Sequence, residues 1–387
     1  MATQAGDPGA FADFDLARVE TPAFVVDAAA LRRNVAILND VRTRSGAKIL
    51  LALKAFSMWR TADITHGPLD GTCASGLWEA RLAAAHYPGL IETFSPVYKA
   101  ADLREIAALS DTIVFNTPQQ FARHRELLER TGETFDIGIR INPQHSEGEV
   151  PKYDPAAPGS RLGFPLSQLR EEHLSGVHGI HFHTLCEQGF APLARTWSAI
   201  EAKIGPWLHR LDWINMGGGH HITRDDYDLD ELVSLLRQVS EKYNVHVYLE
   251  PGEAVALDAG ILVGEVLDTF ENDGTQAILD ISATCHMPDV IEAPYRPALF
   301  GEPEEGTTAR LGGPSCLAGD VIGDYRFDAE PKPGDRIAFL DQAHYSMVKT
   351  TTFNGVPLPS IYLWDSETDD LEQVRAFGWQ DFATRLS

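Results

Sequence analysis

The sequence has few cysteines, no long apolar run and a shortage of basic residues. Its 387 residues include only four cysteines, which lie far apart and form no C-x-x-C pair. The cysteine pattern therefore predicts neither a disulfide scaffold nor a zinc site. No apolar run approaches the roughly 18 residues that a membrane helix needs, and the opening residues lack the basic start and apolar stretch of a secretory signal. We accordingly expect a cytoplasmic protein with no membrane partner.

The shortage of basic residues sets the charge of the protein. There are 32 lysines and arginines against 56 aspartates and glutamates, which gives a formal net charge of −24. Such a surface repels the phosphates of a nucleic acid, so we expect no nucleic-acid partner, whereas a cationic substrate would be attracted. A purely solubilising role of the acidic surface stays open at this point.

Short apolar runs alternate with longer amphipathic stretches along the first two thirds of the chain. The runs are rich in β-branched and aromatic residues and end at Gly, Pro, Asn or Asp, which is typical of buried parallel strands. They cover residues 48–54, 71–75, 91–98, 112–116, 135–141, 179–183, 212–217 and 245–252. Helical patterns lie between them, for example at 28–44, 117–131 and 228–243. Eight such repeats predict an α/β fold with a (β/α)8 TIM barrel. The alternative, a doubly wound sheet, usually has fewer strands and an early glycine-rich turn.

The last third of the chain has a different texture. Beyond residue 257, strand-like runs are separated by turn clusters such as ENDG and KPGD, which predicts a mostly β domain, sandwich-like or barrel-like. The segment 21–27 is also strand-like and precedes the barrel. We therefore predict a barrel over residues 28–257 and a β domain made of residues 1–27 and 258–387.

Functional groups of a (β/α)8 barrel gather at the carboxyl ends of its strands. Lys54 ends an otherwise apolar strand, where loss of solvation would lower its pKa and make it nucleophilic towards a carbonyl carbon. The alternative is an ordinary lysine that extends to solvent. Polar groups and glycines also stand at the ends of other strands, namely Arg140, His183, Gly217, Gly218, Gly219 and Glu250.

Each of these strand-end groups has two interpretations. The glycine run 217–219 follows the seventh strand, where TIM barrels often bind phosphate, but it also suits a simple turn. Glu250 could hold the proton of a ring nitrogen or be a solvated rim charge. His181 and His183 share one face of a strand, and with the neighbouring pair 220–221 they leave a metal site as an alternative. No carboxylate stands at a metal-like spacing among these histidines, so we expect no metal.

Together, an amine for an aldehyde, a phosphate cradle, a stacking imidazole and a carboxylate predict the cofactor pyridoxal 5′-phosphate (PLP). The chain also contains the strings LALKAFS (52–58), SRLGF (160–164), GIHFHTLCEQ (179–188), MGGGHH (216–221), LEPGEA (249–254), CHMPDVIE (285–292), PYRP (294–297), GGPSCLAGD (312–320) and AHYSMVKTTTFNG (343–355). With these strings the sequence resembles the alanine-racemase-fold (type III) PLP-dependent decarboxylases, and within them the carboxynorspermidine (carboxyspermidine) decarboxylases. The resemblance extends from Thr21 to Leu363.

The resemblance implies how the cofactor would be bound. Lys54 would hold PLP covalently, His183 would stack on its ring, and Glu250 would pair with the protonated ring nitrogen. The glycine run 217–219 would bind the phosphate, together with Gly252 and Tyr345. We also assign Arg140 to the cofactor site because of its place at a strand end.

The resemblance further implies that the protein is a homodimer with shared active sites. In related decarboxylases, a cysteine corresponding to Cys316 crosses the dimer interface and returns a proton to the α-carbon of the substrate. By composition alone, Cys316 would instead be an inert buried thiol. We therefore expect the catalytic residues to be Lys54, His183 and Cys316.

The implied substrates are carboxynorspermidine and carboxyspermidine, which would give norspermidine and spermidine. Relatives specific for ornithine or diaminopimelate have an arginine in place of Glu253 and an acidic residue in place of Leu317, so their pocket is not expected here. Since the tail of a carboxy-polyamine carries ammonium groups, we expect carboxylates to hold it. The expected set is Glu253, Asp289, Glu292 and Asp320.

Several other functions stay open from the sequence alone. They are another basic amino-acid decarboxylase, a racemase of the same fold, a non-catalytic PLP-binding barrel and a metal-dependent hydrolase. Glu250 argues against the racemase, which usually places an arginine at the ring nitrogen. The predicted β domain argues against the non-catalytic barrel, which lacks one.

Overall fold

The structure is a computed structural model that describes residues 8–148 and 150–387. Residues 1–7 of the predicted β-domain segment 1–27 therefore lie outside the described residues. The chain divides into two compact units, one comprising Arg32–Val255 and the other combining Met1–Leu31 with Ala256–Ser387. The predicted boundaries at 28 and 257 lie within a few residues of these limits and stay predictions.

The strands are numbered in chain order. They are β1 (Ala23–Asp27), β2 (Lys48–Ala52), β3 (Gly71–Ala74), β4 (Leu90–Ser95), β5 (Thr112–Phe115), β6 (Asp136–Asn142), β7 (Phe164–Pro165), β8 (Gly179–His181), β9 (Trp213–Asn215), β10 (His246–Leu249), β11 (Gly260–Glu271), β12 (Thr275–Leu279), β13 (Thr307–Gly312), β14 (Val321–Phe327), β15 (Arg336–Phe339), β16 (Ser360–Asp365) and β17 (Asp370–Arg375).

The α-helices alternate with the strands of the first unit and are short in the second. They are α1 (Ala28–Ser45), α2 (Ala62–Thr65), α3 (Leu77–His86), α4 (Ala100–Leu109), α5 (Pro118–Glu129), α6 (Phe190–Leu208), α7 (Leu229–Tyr243), α8 (Glu253–Ala256), α9 (Ala283–His286), α10 (Asp289–Glu292) and α11 (Trp379–Ala383). Within the described residues, none of these helices is long and apolar enough to cross a membrane.

Eight parallel strands of the unit Arg32–Val255 close into a barrel. The strand order is β5-β4-β3-β2-β10-β9-β8-β6, and pairing of β5 with β6 completes the ring. Residues on both faces of these strands are fully buried, as at Val114, Ile139, Ile180 and Ile214, because the strands have helices on one face and the barrel core on the other. The predicted (β/α)8 barrel is confirmed, and each of the eight predicted runs overlaps one of its strands.

Trp213 on β9 shows how the barrel interior is filled. Its indole lies so close to Gly138 on β6 and Gly179 on β8 that a Cβ atom at either glycine would collide with the ring. The glycines on β6 and β8 therefore leave the space that the Trp213 side chain of β9 fills. The barrel has a packed core rather than a channel. The mouth of the barrel, at the carboxyl ends of the strands, is formed by the residues that follow the strands.

Capping residues explain where two of the predicted helices begin. The Thr117 side chain accepts a hydrogen bond from the Gln120 N–H ahead of α5, whose first residue is Pro118. Asp228 accepts one from Glu231 N–H ahead of α7, which ends at a left-handed Asn244. These are the residue types that helix ends favour, and both helices lie where the sequence predicts them.

The second unit is built on one mixed sheet of eight strands. Its order is β14-β13-β12-β11-β1-β16-β17, with β15 paired to β11. Strand β1 runs antiparallel to β11 and parallel to β16, so the opening segment of the chain belongs to this sheet. Phe11, Phe14 and Trp364 pack together in its core. The predicted mostly β domain is confirmed, and its eight strands belong to one hydrogen-bonded sheet.

Candidate active site

Lys54 lies in a tight turn just beyond β2. The turn is closed by a hydrogen bond from the Ala55 N–H to the Ala52 carbonyl oxygen at 3.1 Å. Gly252, which follows β10, touches this turn, and a Cβ atom there would come within 2.6 Å of the Ala55 Cβ. The Lys54 side chain is accessible to solvent, yet protein surrounds it so closely that loss of solvation lowers its pKa. The result is a reachable amine that is readily deprotonated.

His183 stands beside this amine in a fixed orientation. Its Nε2 lies 3.5 Å from the Lys54 Nζ, and its Nδ1 accepts a hydrogen bond from the Gly218 N–H at 3.1 Å. A neutral imidazole that accepts at Nδ1 carries its hydrogen on Nε2. Loss of solvation and the neighbouring Lys54 hold the pKa of His183 well below its ordinary value. The ring is therefore neutral at physiological pH.

Arg140, at the end of β6, supports His183 from its backbone. The guanidinium donates a hydrogen bond to the His183 carbonyl oxygen at 2.9 Å and lies over the Phe94 ring, 4.6 Å from its centroid. Burial lowers the pKa of Arg140 to about 10, so it stays charged. Its position makes Arg140 a support of the imidazole and a source of positive charge near Glu250.

Glu250, directly after β10, is a buried carboxylate with several hydrogen-bond donors. Asn215 Nδ2 donates to its Oε1 at 2.8 Å, and His181 Nε2 lies 3.3 Å from its Oε2. Burial by itself would raise the pKa of Glu250, but His181 and a hydrogen bond with Glu92 hold it well below the ordinary value. Loss of solvation lowers the pKa of His181 in turn. A buried, ionised carboxylate with fixed donors suits a protonated ring nitrogen.

Glu92, which lies beside Glu250 in the fold, was not among the site residues predicted from the sequence. Glu92 lies on β4 and is 3% exposed. Its carboxyl group shares the Asn215 amide with Glu250, because Asn215 Nδ2 also donates to Glu92 Oε1 at 2.8 Å. A single charged residue inside the apolar run 91–98 is the signal that could have revealed it. One carboxylate oxygen each of Glu92 and Glu250 and one ring nitrogen of His181, the atoms that could bind a metal ion, lie within 4.8 Å of one another.

The glycine run 217–219 is fixed by backbone hydrogen bonds and packs closely against neighbouring residues. The Gly217 N–H donates to Asn215 Oδ1 at 2.8 Å, while the Gly218 N–H is used by His183. A Cβ atom at Gly218 would collide with the Glu250 carbonyl oxygen, and Gly219 has a left-handed φ of +82°. The run therefore has a packing role of its own, and phosphate binding by it stays a prediction.

Glu253, expected at the substrate tail, opens the short helix α8. Its Oε1 lies 3.2 Å from the Nε2 of His221, and both side chains are mostly buried. The Glu253 carboxylate therefore already contacts the His221 imidazole of the same unit. A substrate ammonium group bound by Glu253 would have to lie beside His221. The role of Glu253 towards substrate stays a prediction.

In the sheet unit, Cys316 lies on an exposed loop held by Asp320. The loop is anchored because the Cys316 N–H donates to Asn354 Oδ1 at 2.6 Å. Asp320 is buried and accepts hydrogen bonds from the hydroxyls of Ser282 and Ser315, at 2.9 Å and 2.6 Å to its Oδ2. These contacts indicate that Asp320 shapes the cysteine loop, whereas its predicted contact with substrate is untested.

Asp289 and Glu292, on the short helix α10, share one lysine. The Lys349 Nζ donates to Asp289 Oδ1 at 2.6 Å and lies 3.7 Å from Glu292 Oε2. A cation of the chain itself therefore stands where a substrate ammonium group was expected. Tyr345 precedes this lysine on a left-handed turn, with φ of +42°, and is half-buried.

The barrel residues fit PLP. An accessible amine with a lowered pKa, a neutral ring 3.5 Å away and an ionised carboxylate are the groups that its aldehyde, its pyridine face and its ring nitrogen need. The structure thus brings together Lys54, His183, Arg140, Glu250 and the glycine run at one mouth. It describes Cys316, Tyr345, Asp289, Glu292 and Asp320 within the other unit.

Comparison with known proteins gives matches along nearly the whole chain. The sequence profile of a family described as pyridoxal-dependent decarboxylase, C-terminal sheet domain, matches residues 23–343. The carboxynorspermidine/carboxyspermidine decarboxylase of Campylobacter jejuni is 40% identical over 382 residues, which cover 95% of this chain and 99% of that protein. The carboxyaminopropylagmatine decarboxylase of a Synechocystis species is 39% identical over 376 residues, which cover 96% of each chain.

Solved structures agree with these matches. The carboxynorspermidine decarboxylase of Campylobacter jejuni, solved with norspermidine, superposes with a TM-score of 0.86 at 39% identity and covers 95% of this chain and 100% of that chain. Diaminopimelate decarboxylase of Helicobacter pylori, solved with L-lysine, shares the fold with a TM-score of 0.84 at 17% identity, covering 95% and 97%. This chain therefore belongs to the pyridoxal-dependent decarboxylase family.

Proposed function

We propose that this chain decarboxylates carboxynorspermidine and carboxyspermidine, giving norspermidine and spermidine in polyamine biosynthesis. The observation that carries the proposal is the 40% identity with a decarboxylase of this name over 95% of the chain and 99% of the relative. The grouping of Lys54, His183 and Glu250 at one barrel mouth supports it. Glu250 also argues against a racemase, because an ionised carboxylate there keeps the ring nitrogen protonated.

In this proposal PLP is the cofactor, held by Lys54, His183, Glu250 and the glycine run 217–219, with Gly252 and Tyr345. When bound, PLP supplies the electron sink that accepts the electron pair left by departing CO2. The lowered pKa of Lys54 favours loss of the proton from its Nζ, which attack on a carbonyl carbon requires. The neutral His183 ring offers an uncharged face for stacking, and Glu250 holds the proton at the ring nitrogen.

The proton returned to the α-carbon would come from Cys316 in a homodimer with shared sites. The thiol lies on an exposed loop, and apolar side chains beside it are exposed too, with Leu317 at 45% and Phe353 at 49%. Exposed apolar residues around a functional group are typical of a surface that a second chain covers. A cytoplasmic location completes the proposal, in keeping with the few cysteines.

The substrate tail would be held by Glu253 and Asp289, with Glu292 and Asp320 as the further expected carboxylates. For Asp289 this requires the substrate ammonium group to displace or join Lys349, which it now contacts at 2.6 Å. For Asp320 the hydroxyl donors of two serines must be lost first, which makes it the weakest member of the set. For Glu253 the substrate ammonium group would have to fit beside His221, whose Nε2 lies 3.2 Å from the Glu253 Oε1.

A second candidate substrate is carboxyaminopropylagmatine. It is favoured by the Synechocystis relative, whose 39% identity differs little from the 40% of the Campylobacter jejuni enzyme. The three compounds share a carboxy-aminopropyl head, where the reaction occurs, and differ at the tail. Carboxynorspermidine and carboxyspermidine end in an ammonium group on chains of different length, whereas carboxyaminopropylagmatine ends in a guanidinium group. The same barrel chemistry would therefore serve all of them, and the tail contacts would decide between them.

The experiment is a measurement of CO2 release from purified, PLP-loaded protein with each of the three compounds. Diaminopimelate, ornithine and lysine serve as comparison substrates. We expect the highest kcat/KM with carboxynorspermidine or carboxyspermidine. A preference for carboxyaminopropylagmatine would replace the substrate and keep the reaction, whereas release only from diaminopimelate or ornithine, or from none of the six, would reject the proposal.

A further inference from the structure

Two buried carboxyl groups share one side-chain amide beneath the proposed cofactor site. Asn215 donates one hydrogen of its Nδ2 to Glu92 and the other to Glu250, both at 2.8 Å. Its Oδ1 cannot face the carboxyl groups, because it accepts the Gly217 N–H at 2.8 Å. The amide is therefore oriented, and the two carboxyl groups, which are 3% and 6% exposed, lie within hydrogen-bonding reach of each other.

This arrangement favours a single negative charge on the two carboxyl groups. Two ionised carboxylates in contact, away from water, repel each other strongly, and the usual result is one shared proton. The proton is better placed on Glu92 than on Glu250. Glu250 has four neighbours that can carry positive charge, namely His181, His183, Lys54 and Arg140, and each of them favours its ionised form when positive. The Cys73 thiol interacts with both carboxyl groups and so does not distinguish them.

The groups around Glu92 are of the opposite kind. The titratable side chains that sense its charge, apart from Glu250, are Cys73 on β3, Tyr98 beyond β4 and Tyr248 on β10. None of these becomes positive. In agreement with this environment, burial and the Glu250 charge raise the pKa of Glu92 well above its ordinary value.

We propose that Glu92 is a positioning residue that keeps its proton and donates it in a hydrogen bond to Glu250, so that the pair presents a single negative charge to the ring nitrogen. The inference rests on the proposed function for the identity of that ring. The hydrogen bond makes Glu250 less basic, so the proton that it meets stays on the ring nitrogen. An ionised Glu92 would instead add a second negative charge and remove the donor.

Two substitutions separate these states. Glu92→Gln keeps an oxygen for Asn215 and an N–H donor for Glu250 and has no charge, so it mimics the protonated acid. Glu92→Leu has a similar volume but neither group. Glu126→Gln is the matched control, because Glu126 is an exposed carboxylate on α5 that pairs with Arg130.

The first readout is the infrared carbonyl band of a protonated carboxylic acid in the full-length protein at neutral pH, with and without PLP. We expect this band in the wild type and the Glu126→Gln protein and its loss in both Glu92 variants. The second readout is the pH titration of the bound cofactor's absorption. We expect the fraction of ring-protonated cofactor in Glu92→Gln to match the wild type and that fraction to be smaller in Glu92→Leu, where the more basic Glu250 takes a share of the proton.

In activity, Glu92→Gln should keep kcat within about threefold, while Glu92→Leu should lower kcat by roughly 10- to 100-fold with little change in KM, as expected for a hydrogen bond to a charged group. A missing acid band in the wild type, a band that survives in Glu92→Gln, or equal damage from both substitutions would overturn the proposal. So would a stoichiometric metal ion in the purified protein, bound at Glu92, His181 and Glu250. Because the infrared readout needs neither substrate nor cofactor, an acid band in a protein that releases no CO2 would reject the proposed function alone.

Discussion

The barrel mouth and the cysteine loop treat their functional groups in opposite ways. In the barrel unit Lys54, His183 and Glu250 are surrounded by protein, and their pKa values are shifted by loss of solvation and by one another. In the sheet unit Cys316 lies on an exposed loop. The only buried carboxylate among its expected site residues, Asp320, is used by serine hydroxyls. The groups proposed for the cofactor chemistry are therefore organised within the barrel, whereas the cysteine is held in place on a loop that stays exposed.

The largest expected effect comes from removing the barrel amine. Lys54→Ala should lower the rate of CO2 release by at least about 10^3-fold, because it removes the amine proposed to attack the cofactor aldehyde. Lys99→Ala is the control, since Lys99 precedes α4 and its side chain is exposed. Activity within tenfold of the wild type in Lys54→Ala would move the reactive amine elsewhere.

Cys316→Ala should have the next largest effect, a loss of roughly 10^2- to 10^4-fold, the usual contribution of a positioned general acid. If sites are shared across a homodimer, mixing inactive Lys54→Ala and Cys316→Ala chains should restore some activity. The measurement is CO2 release from mixed dimers whose composition is checked by affinity tags of different kinds. Mixed dimers without recovered activity would show that each chain serves its own site.

The carboxylates expected at the substrate tail should have smaller effects. Glu253→Gln and Asp289→Asn should each leave PLP binding intact and lower kcat/KM by roughly 10- to 1,000-fold, as for a buried charge pair that loses a partner. Lys349→Met is the matched test for Asp289, because it frees this carboxylate and should leave KM unchanged or lower it. Wild-type kinetics in both carboxylate variants would place the tail elsewhere.

The smallest expected effect is on stability and depends on pH. Above the ordinary glutamic acid pKa of 4.5, the folded chain keeps a proton on Glu92 that the unfolded chain releases. The stability that this group contributes is therefore complete below pH 4.5. It falls as pH rises, by up to about 1.4 kcal/mol per pH unit, until the raised pKa of Glu92 is passed.

Glu92→Gln lacks this proton, so its free energy of unfolding should gain on that of the wild type between about pH 5 and pH 8. Glu250, whose pKa is lowered, changes stability only below pH 4.5 and does not mask the trend. Urea unfolding of both proteins across this range measures the difference. A constant difference would mean that Glu92 is already ionised in the folded protein.

The sequence was a good guide to the barrel because parallel strands are buried on both faces and read as apolar runs. It was a poorer guide to where they end. The run 48–54 was interpreted as one strand, yet β2 stops at Ala52 and the turn that follows is what places Lys54 beside His183. In the sheet unit, β13, β14 and β17 have many exposed positions and largely polar sequences, so they lack the apolar pattern that marks the barrel strands.

The site residues that were missed depend on contacts between distant parts of the chain. Glu92 and Asn215 stand inside apolar runs and gain meaning only when β4, β9 and β10 meet. Asp320 was expected at the substrate because of its charge, but its serine partner Ser282 lies 38 residues away in the sequence. Such pairings follow from the closure of the fold and leave no local pattern.

The most direct test is to reduce the PLP-loaded protein with borohydride and to map the pyridoxyl group by peptide mass spectrometry. If the barrel mouth carries the cofactor chemistry, the label will be found on Lys54 at close to one per chain, and it will be absent from the Lys54→Ala protein. A label on Lys99 or Lys349, or no label at all, would contradict the assignment of the reactive amine to Lys54.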